Sequence, residues 1–507
     1  MTLNLARSPQ FFFRSPKWFC RTLLSIAFLA MGFPLHAQIT QRDYQARRAA
    51  LAASVGDGVI LVFGAPEPEH DYLSFFQSPR FLYLTGFREP NGALVMVKRG
   101  GQVREMMFVL PSNPAQEVWS GKRIGVEGLR RVTGIETRDI RLLRPTLDTL
   151  LAADTALYVV GEYSTQRQLA SRDDLFIRRL KEQFPRVVAT PVNARVDAQR
   201  RVKNAAELDL LRKSIAITVD AHLEALRAIR PDMNEFEIQA LIEYTFRRNG
   251  ADRPSFATIV GSGPNSTTLH YNADDRFMRN GDMVVMDIGA SYRGYAADVT
   301  RTIPVNGVFS QAQREIYQAV RDAQAAGERQ AKVGAPLSQM SDSATASIAA
   351  SLAKLGLIES PTATFDCAAL EGVPTCPQYR LFYMHGLGHG IGLDVHDPWG
   401  NGPMDTLTPG HAFTIEPGIY VRGNTLDIIP DTPRNRELKK KIDVAVKRYA
   451  NIGVRIEDDY LVTAKEVEWV SRAPREISEI EALMKNKSNG PAPRDSARVE
   501  WYRATTP

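Results

Sequence analysis

An α/β domain followed by a larger α+β domain is the architecture this sequence predicts, and three observations predict it. The chain has 507 residues, more than one hydrophobic core can serve, so two or three domains of about 100 to 200 residues each are expected. Between residues 43 and 189 helical and strand patterns alternate, the signature of an α/β layer structure. Beyond residue 202 long helical periods stand beside strand pairs joined by tight turns, which reads as α+β.

The first helix is expected over 43–53, and the apolar run 59–63 reads as a buried strand. Further strands are expected at 93–97, 107–110 and 157–160. Residues 191–202 form a plausible boundary. After it Leu208, Leu211, Ile215, Ile217, Leu223 and Leu226 recur at helical spacing over 204–229. Helices are also expected at 235–248, 311–332 and 337–355, and strands at 256–260, 283–290, 295–305, 412–415 and 453–463. From Lys485 an Asn-Gly-Pro-Ala-Pro run without apolar period predicts a disordered tail, 485–507.

Composition narrows the function. With 44% hydrophobic and 24% charged residues the chain suits neither a disordered protein nor a multi-span membrane protein. The formal charge is +6, from 63 basic and 57 acidic residues. Arg7, Arg14, Lys17 and Arg21 all lie within 1–37, where no acidic residue occurs, so the remaining balance is 59 against 57, a net +2. That is too little for a nucleic-acid footprint, and no nucleic-acid partner is expected.

The basic start, the apolar run 23–33 and Ala37 before Gln38 form the pattern of a secretory leader cleaved after Ala37. Eleven apolar residues fall short of the about 20 needed to span a bilayer, so no stable membrane insertion is expected after cleavage. The mature protein is expected to be exported, periplasmic or secreted. Cys20 leaves with the leader, and Cys367 and Cys376, nine apart, are expected to form a local disulfide in an oxidising compartment.

Carboxylates in apolar strands locate the chemistry. Asp287 stands in Met-Val-Val-Met-Asp-Ile, and burying it alone would cost several kcal/mol. A second strand carries Asp298, and a two-residue turn at Tyr292-Arg293 or Arg293-Gly294 puts both on one face. Two like charges so close call for a metal. The hairpin alone leaves another reading open, with one aspartate capping the turn and the other paired to Arg301.

The run from His385 to Asp397 holds three histidines, His385, His389 and His396, with four interleaved glycines. That glycine density disfavours a helix and suits backbone approaching a ligand closely. Glu416 and Glu457 each follow a short apolar strand, and taken singly each reads as a solvated strand-end residue.

The order Asp287, Asp298, His389, Glu416, Glu457 resembles the ligand set of the pita-bread metallopeptidases, in their Xaa-Pro aminopeptidase branch. The resemblance spans roughly 40–484 and rests also on Ile259-Val260-Gly261-Ser262-Gly263, Leu269-His270-Tyr271, and, toward the amino terminus, Phe81 to Pro90 and Trp119 to Arg123. It implies an α+β pita-bread domain over 196–484, preceded by a smaller α/β domain over 38–195. It implies release of the amino-terminal residue from peptides with proline in second position. Two Mn²⁺ would be held by the five residues, Asp298 and Glu457 bridging, Asp287 completing one site, His389 and Glu416 the other.

Four carboxylates and one imidazole make an oxygen-rich set that suits Mn²⁺. Glu416 resembles the family's proton shuttle, and His270 and His396 the imidazoles that hold substrate and stabilise the tetrahedral intermediate. His385, Tyr420 and Arg455 resemble groups that line the substrate pocket or back the ligands. A homo-oligomer is expected. Two alternatives stand beside this: a prolidase-like dipeptidase with the same ligands, and an inactive peptide-binding module, which the intact ligand set disfavours. The charged connection 424–451 reads as a lid, an oligomer contact or a disordered loop.

Overall fold

Six strands set the amino-terminal half: β1 Gly58–Phe63, β2 Ala93–Arg99, β3 Gln102–Val109, β4 Glu136–Asp139, β5 Ala156–Val160 and β6 Val188–Pro191. They lie in the order β4-β3-β2-β1-β5-β6, antiparallel through β1, β2 and β3 and parallel outside them. The protein is seen as a computed structural model that describes residues 38–70, 72–164, 170–400, 405–488, 493 and 495–503. The expected leader, 1–37, lies outside the described residues. Among them no helix is long and apolar enough to cross a membrane.

The second half opens with the helix Ala205–Ala228. Its start is fixed locally: the Asn204 side chain accepts from the Glu207 N–H at 3.0 Å, and Glu207 accepts from the Asn204 N–H at 3.0 Å. Helices Glu235–Arg248, Gln311–Gln330 and Leu337–Lys354 follow, within a residue or two of expectation. Between and after them run β7 Arg253–Pro254, β8 Ile259–Ser262, β9 Met283–Ile288, β10 Ala290–Tyr292, β11 Tyr295–Ala296, β12 Val299–Pro304, β13 Thr364–Asp366, β14 Thr375–Pro377, β15 Ala412–Ile415, β16 Gly418–Val421, β17 Ile452–Arg455, β18 Asp458–Val462 and β19 Val467–Trp469. They form small antiparallel sheets, β11-β10-β7, β12-β9-β8, β13-β14, β15-β18-β19 and β16-β17.

The two halves are not separated by solvent. Leu51, Phe81 and Leu84 share one buried cluster with Leu211, Ile215, Ile391, Ala412 and Leu461. The described residues belong to a single compact unit.

Several expectations change. Residues 283–290 and 295–305 are each divided between two sheets, β9 pairing with β12 and β10 with β11. Residues 453–463 are not one strand: β17 pairs with β16 and β18 with β15, and the chain switches sheets at Ile456-Glu457. The connection 424–451 is not a disordered loop. It contains the helix Pro433–Tyr449, whose Leu438, Ile442, Val446 and Tyr449 are buried against the core, each large apolar side chain contributing about 1.5 to 3 kcal/mol. The tail expected to be disordered contains the helix Ser496–Arg503, where Arg498 Nε donates to Asp220 Oδ2 at 2.8 Å.

Cys367 and Cys376 are joined by a disulfide with Cα atoms 5.8 Å apart. It closes the β13–β14 hairpin, which leads into the short turn Gln378–Leu381 and then to His385.

Candidate metal centre

The donors sit where strands change sheets. In the β9–β12 ladder Thr300 faces Asp287 and Val299 faces Ile288, and in β10–β11 Tyr292 faces Tyr295. One register therefore runs through the hairpin, with Arg293 and Gly294 (φ 54° and 86°) at its tip. Asp298 falls opposite Gly289, two residues along the same face from Asp287. A Cβ on Gly289 would stand 1.9 Å from the Ala297 carbonyl oxygen, so the strands can approach here only at glycine. Glu457 occupies the break between β17 and β18, and Thr300 Oγ1 donates to its Oε2 at 2.7 Å.

The histidine segment lies against β15. The Thr414 N–H donates to the His389 carbonyl at 2.9 Å and the Glu416 N–H to the Leu387 carbonyl at 2.7 Å. A Cβ on Gly388 would come 2.0 Å from the Thr414 carbonyl oxygen, which is the close approach its glycines imply. His389 Nε2 is brought 3.5 Å from Asp298, 3.4 Å from Glu416 and 4.0 Å from Glu457. Donor atoms of Asp298, His389 and Glu457 all fall within 4.8 Å of one another.

Protonation follows from burial. Burial holds His389 neutral, its pKa lowered to about 4, with His396 adding to the effect. His389 Nδ1 faces the Gly390 carbonyl at 3.2 Å, which makes Nδ1 the protonated nitrogen and leaves the Nε2 lone pair toward the carboxylates. Burial, then Glu457, Asp287 and Glu416, raises Asp298 well above the usual carboxylate range. Burial raises Glu457 likewise, with Glu416 and Asp287 next, and pushes Glu416 up to about 8.

These groups fit divalent cations. Four carboxylates converge with one resident cation, Arg455, whose Nη2 lies 2.5 Å from Asp287 Oδ2. Asp287 Oδ1 and Glu457 Oε1 are buried without a hydrogen-bond partner among the described residues, a costly arrangement that a divalent ion would satisfy.

Asp287 and Asp298 open onto a cavity of about 210 Å³ that His270, His396, Phe256, Ile259 and Val395 also line. The structure thus brings His270 and His396 to the mouth, with the His396 ring 4.1 Å from that of His389. His385, Tyr420 and Arg455 do not line this cavity; Tyr420 and Arg455 are buried behind the site, the second of the two places the resemblance allowed them. Arg455 Nη1 donates to Tyr420 Oη at 3.0 Å, and Tyr420 donates to His385 Nε2 at 2.9 Å. Tyr420, pushed to about 12 by burial, keeps its proton, and His385, lowered to about 4 by burial and then Arg455, stays neutral. His385 Nδ1 lies 4.0 Å from Glu416 Oε2. The alternative pairing of Arg301 with a hairpin aspartate does not form. Arg301 is wholly buried against Asp458, Nη2 to Oδ1 at 2.7 Å.

Several supporting residues escape sequence reasoning. The loop holding His396 is fastened by Asp397, which pairs with Arg200 at 2.5 Å and Lys203 at 3.0 Å from the segment joining the two halves. Nothing local couples positions nearly two hundred apart. Glu235, fully buried, accepts from Ser262 N at 2.6 Å, Tyr271 Oη at 2.9 Å and Arg276 N at 3.0 Å, fixing the loop that bears His270. Thr300 had a signal: it stands two residues beyond Asp298 on the same strand face.

The pattern of metallopeptidase family M24 matches residues 209–464, and that of the aminopeptidase P amino-terminal domain matches 44–158. The Xaa-Pro aminopeptidase of Escherichia coli K12 is 32% identical over 460 residues, 88% of this chain and 98% of that protein. The Haemophilus influenzae enzyme of the same name is 33% identical over 456 residues, with the same coverage. Among solved structures, an alanine variant of Escherichia coli aminopeptidase P aligns with a TM-score of 0.75 at 31% identity, over 89% of this chain and 99% of that one. Proline aminopeptidase P II from Yersinia pestis aligns with a TM-score of 0.75 at 30% identity, over 88% and 99%.

Proposed function

This chain belongs to metallopeptidase family M24 and carries the aminopeptidase P amino-terminal domain, and from that premise we propose how its own residues do the work. The fold is a pita-bread α+β domain preceded by a smaller α/β domain. The protein is a metallo-aminopeptidase that removes the amino-terminal residue from peptides with proline in second position. The observation that carries the chemistry is the convergence of Asp298, His389 and Glu457 beside Glu416 and Asp287, with buried carboxylate oxygens left without partners.

Asp287, Asp298, His389, Glu416 and Glu457 would hold two divalent ions, and the oxygen-rich donor set favours Mn²⁺. When bound, such ions supply Lewis acidity toward the scissile carbonyl and lower the pKa of water. Breaking an Xaa-Pro bond frees a ring nitrogen that carried no hydrogen in the tertiary amide, so a proton must be delivered to it. Glu416, whose Oε1 stands 3.4 Å from His389 Nε2, would take up a proton as a carboxylate and pass it to the ring nitrogen. His270 and His396, at the cavity mouth, offer N–H donors to the oxyanion that develops on the carbonyl. Arg455 and Tyr420 hold Asp287 and His385 in place from behind.

We place the mature enzyme outside the cytoplasm as a homo-oligomer. The leader pattern of residues 1–37 and the bonded pair Cys367 and Cys376 support export.

The test is hydrolysis of Xaa-Pro tripeptides, matched Xaa-Ala tripeptides and Xaa-Pro dipeptides before and after chelation. Cleavage confined to the Xaa-Pro tripeptides, lost on chelation and restored by Mn²⁺, is expected. Undiminished activity after exhaustive chelation would overturn the metal roles, and cleavage of the dipeptides alone would make the enzyme prolidase-like.

A further inference from the structure

Next to the active cavity lies a second one that the chemistry above does not use. It measures about 350 Å³ and opens between Phe75-Phe76 and the tip of the β10–β11 hairpin. Three arginines, Arg88, Arg247 and Arg253, line it with one carboxylate, Asp252. Asp252 is engaged by the turn, its Oδ2 accepting from Gly294 N at 2.8 Å and standing 3.8 Å from Arg88 Nη1. Arg253 is half-buried. Its guanidinium sits 4.4 Å from the Phe76 ring centre, and its Nη1 reaches only the Pro254 and Ser255 carbonyls, each at 3.4 Å.

Among the described residues neither Arg253 nor Arg247 has a carboxylate within ion-pair range. The charges that act on Arg253 are those of Asp252, engaged by the turn, and Asp394, which is paired to Arg200 at 2.7 Å. Loss of hydration accordingly lowers the Arg253 pKa. Arg247 and Arg88 are exposed, and Arg247 donates to the Ala251 and Asp252 carbonyls, so Arg253 is the guanidinium drawn partly out of water without a direct ion pair, and its planar fork matches a carboxylate.

The two cavities are neighbours. Leu393 lines this one and Val395 the active cavity, two residues on, while Arg253 and Phe256 are three apart. At about 3.3 Å per residue of extended chain these lining backbones lie within roughly 10 Å of each other.

We propose that this cavity is an anion subsite that takes a carboxylate of the peptide whose amino-terminal end occupies the metal centre. The proposal rests on the aminopeptidase reading given above. Three parts of a peptide could supply the carboxylate: an acidic residue before proline, an acidic residue after it, or the free carboxyl terminus.

Peptides matched in length, with glutamate or glutamine before proline, at the third position or at the fourth, and with free or amidated ends, separate these sources. The Mn²⁺-loaded enzyme should favour one charged member over its neutral partner by about tenfold in kcat/KM, equivalent to about 1.4 kcal/mol. In Arg253→Gln, and independently in Arg88→Gln, that ratio should fall toward one. It should also shrink as salt rises. Whichever position shows the preference identifies the source. Equal rates on all charged and neutral pairs, or a preference that survives both substitutions, would overturn the proposal. Failure to cleave even the neutral Xaa-Pro peptides would instead count against the aminopeptidase reading.

Discussion

Chelated enzyme should bind Mn²⁺ more tightly as pH rises, because protons compete for the same oxygens. Glu416 has its pKa raised from 4.5 to about 8 by burial, with Asp287 adding to the rise and Arg455 opposing it. A carboxyl with a raised pKa is protonated throughout the range below it. A metal that needs the carboxylate must displace that proton, and affinity grows with pH until about 8. From about pH 8 down to about pH 6 the proton on Glu416 alone should weaken binding about fiftyfold, or about 2.3 kcal/mol. Asp298 and Glu457, both raised well above the ordinary range, act in the same direction. His385 and His389, lowered to about 4, are neutral across this window and release nothing. Calorimetric titration in two buffers of different ionisation enthalpy counts the protons released. Between about one and three protons per loaded enzyme are expected near pH 6.5. A pH-independent affinity with no proton release would refute the assignment of these carboxylates as competing ligands.

Glu416→Gln should abolish turnover, while His396→Ala should lose catalysis and keep its metal, measured by elemental analysis beside single-turnover rates. Loss of metal in His396→Ala would remove it from the substrate side. Asp397→Asn leaves the buried Lys203 without its counter-charge, while Arg200 keeps Asp394, and should cost about 3 to 5 kcal/mol in urea unfolding. A change below about 1 kcal/mol would show that the ion cluster does not hold the His396 loop. Replacing Cys367 and Cys376 together by serine should cost about 2 to 3 kcal/mol for a loop of about ten residues, with peptide mapping in the absence of reductant finding the linked peptide only in the parent.

Legibility followed range along the chain. The helix Ala205–Ala228 announced itself through apolar spacing, and the Arg293-Gly294 turn set the register that brings Asp298 onto the face of Asp287. The helix Pro433–Tyr449 was readable too, since Leu438, Ile442 and Val446 recur every four residues. The lysines at 439–441 hid it, because they lie on the solvent side of the same helix. The break at Ile456-Glu457 was not readable. β17 and the apolar end of β18 read as one continuous strand, and only their different partners, β16 and β15, force the chain to change sheets.

By itself the sequence determined which residues could do chemistry: side-chain direction repeats every two residues in a strand and every 3.6 in a helix, so Asp287, Asp298 and the glycine-spaced histidines were marked by local rules alone. Only the tertiary structure decided what those residues become. Burial raised the Glu416 carboxyl and kept His389 neutral, and contacts between distant segments set Arg455 on Asp287, Tyr420 behind His385 and Arg200 on Asp397. Desolvation and ion pairing depend on distances in space, and neighbours brought together by folding from nearly two hundred residues apart leave no mark in the spacing of either segment.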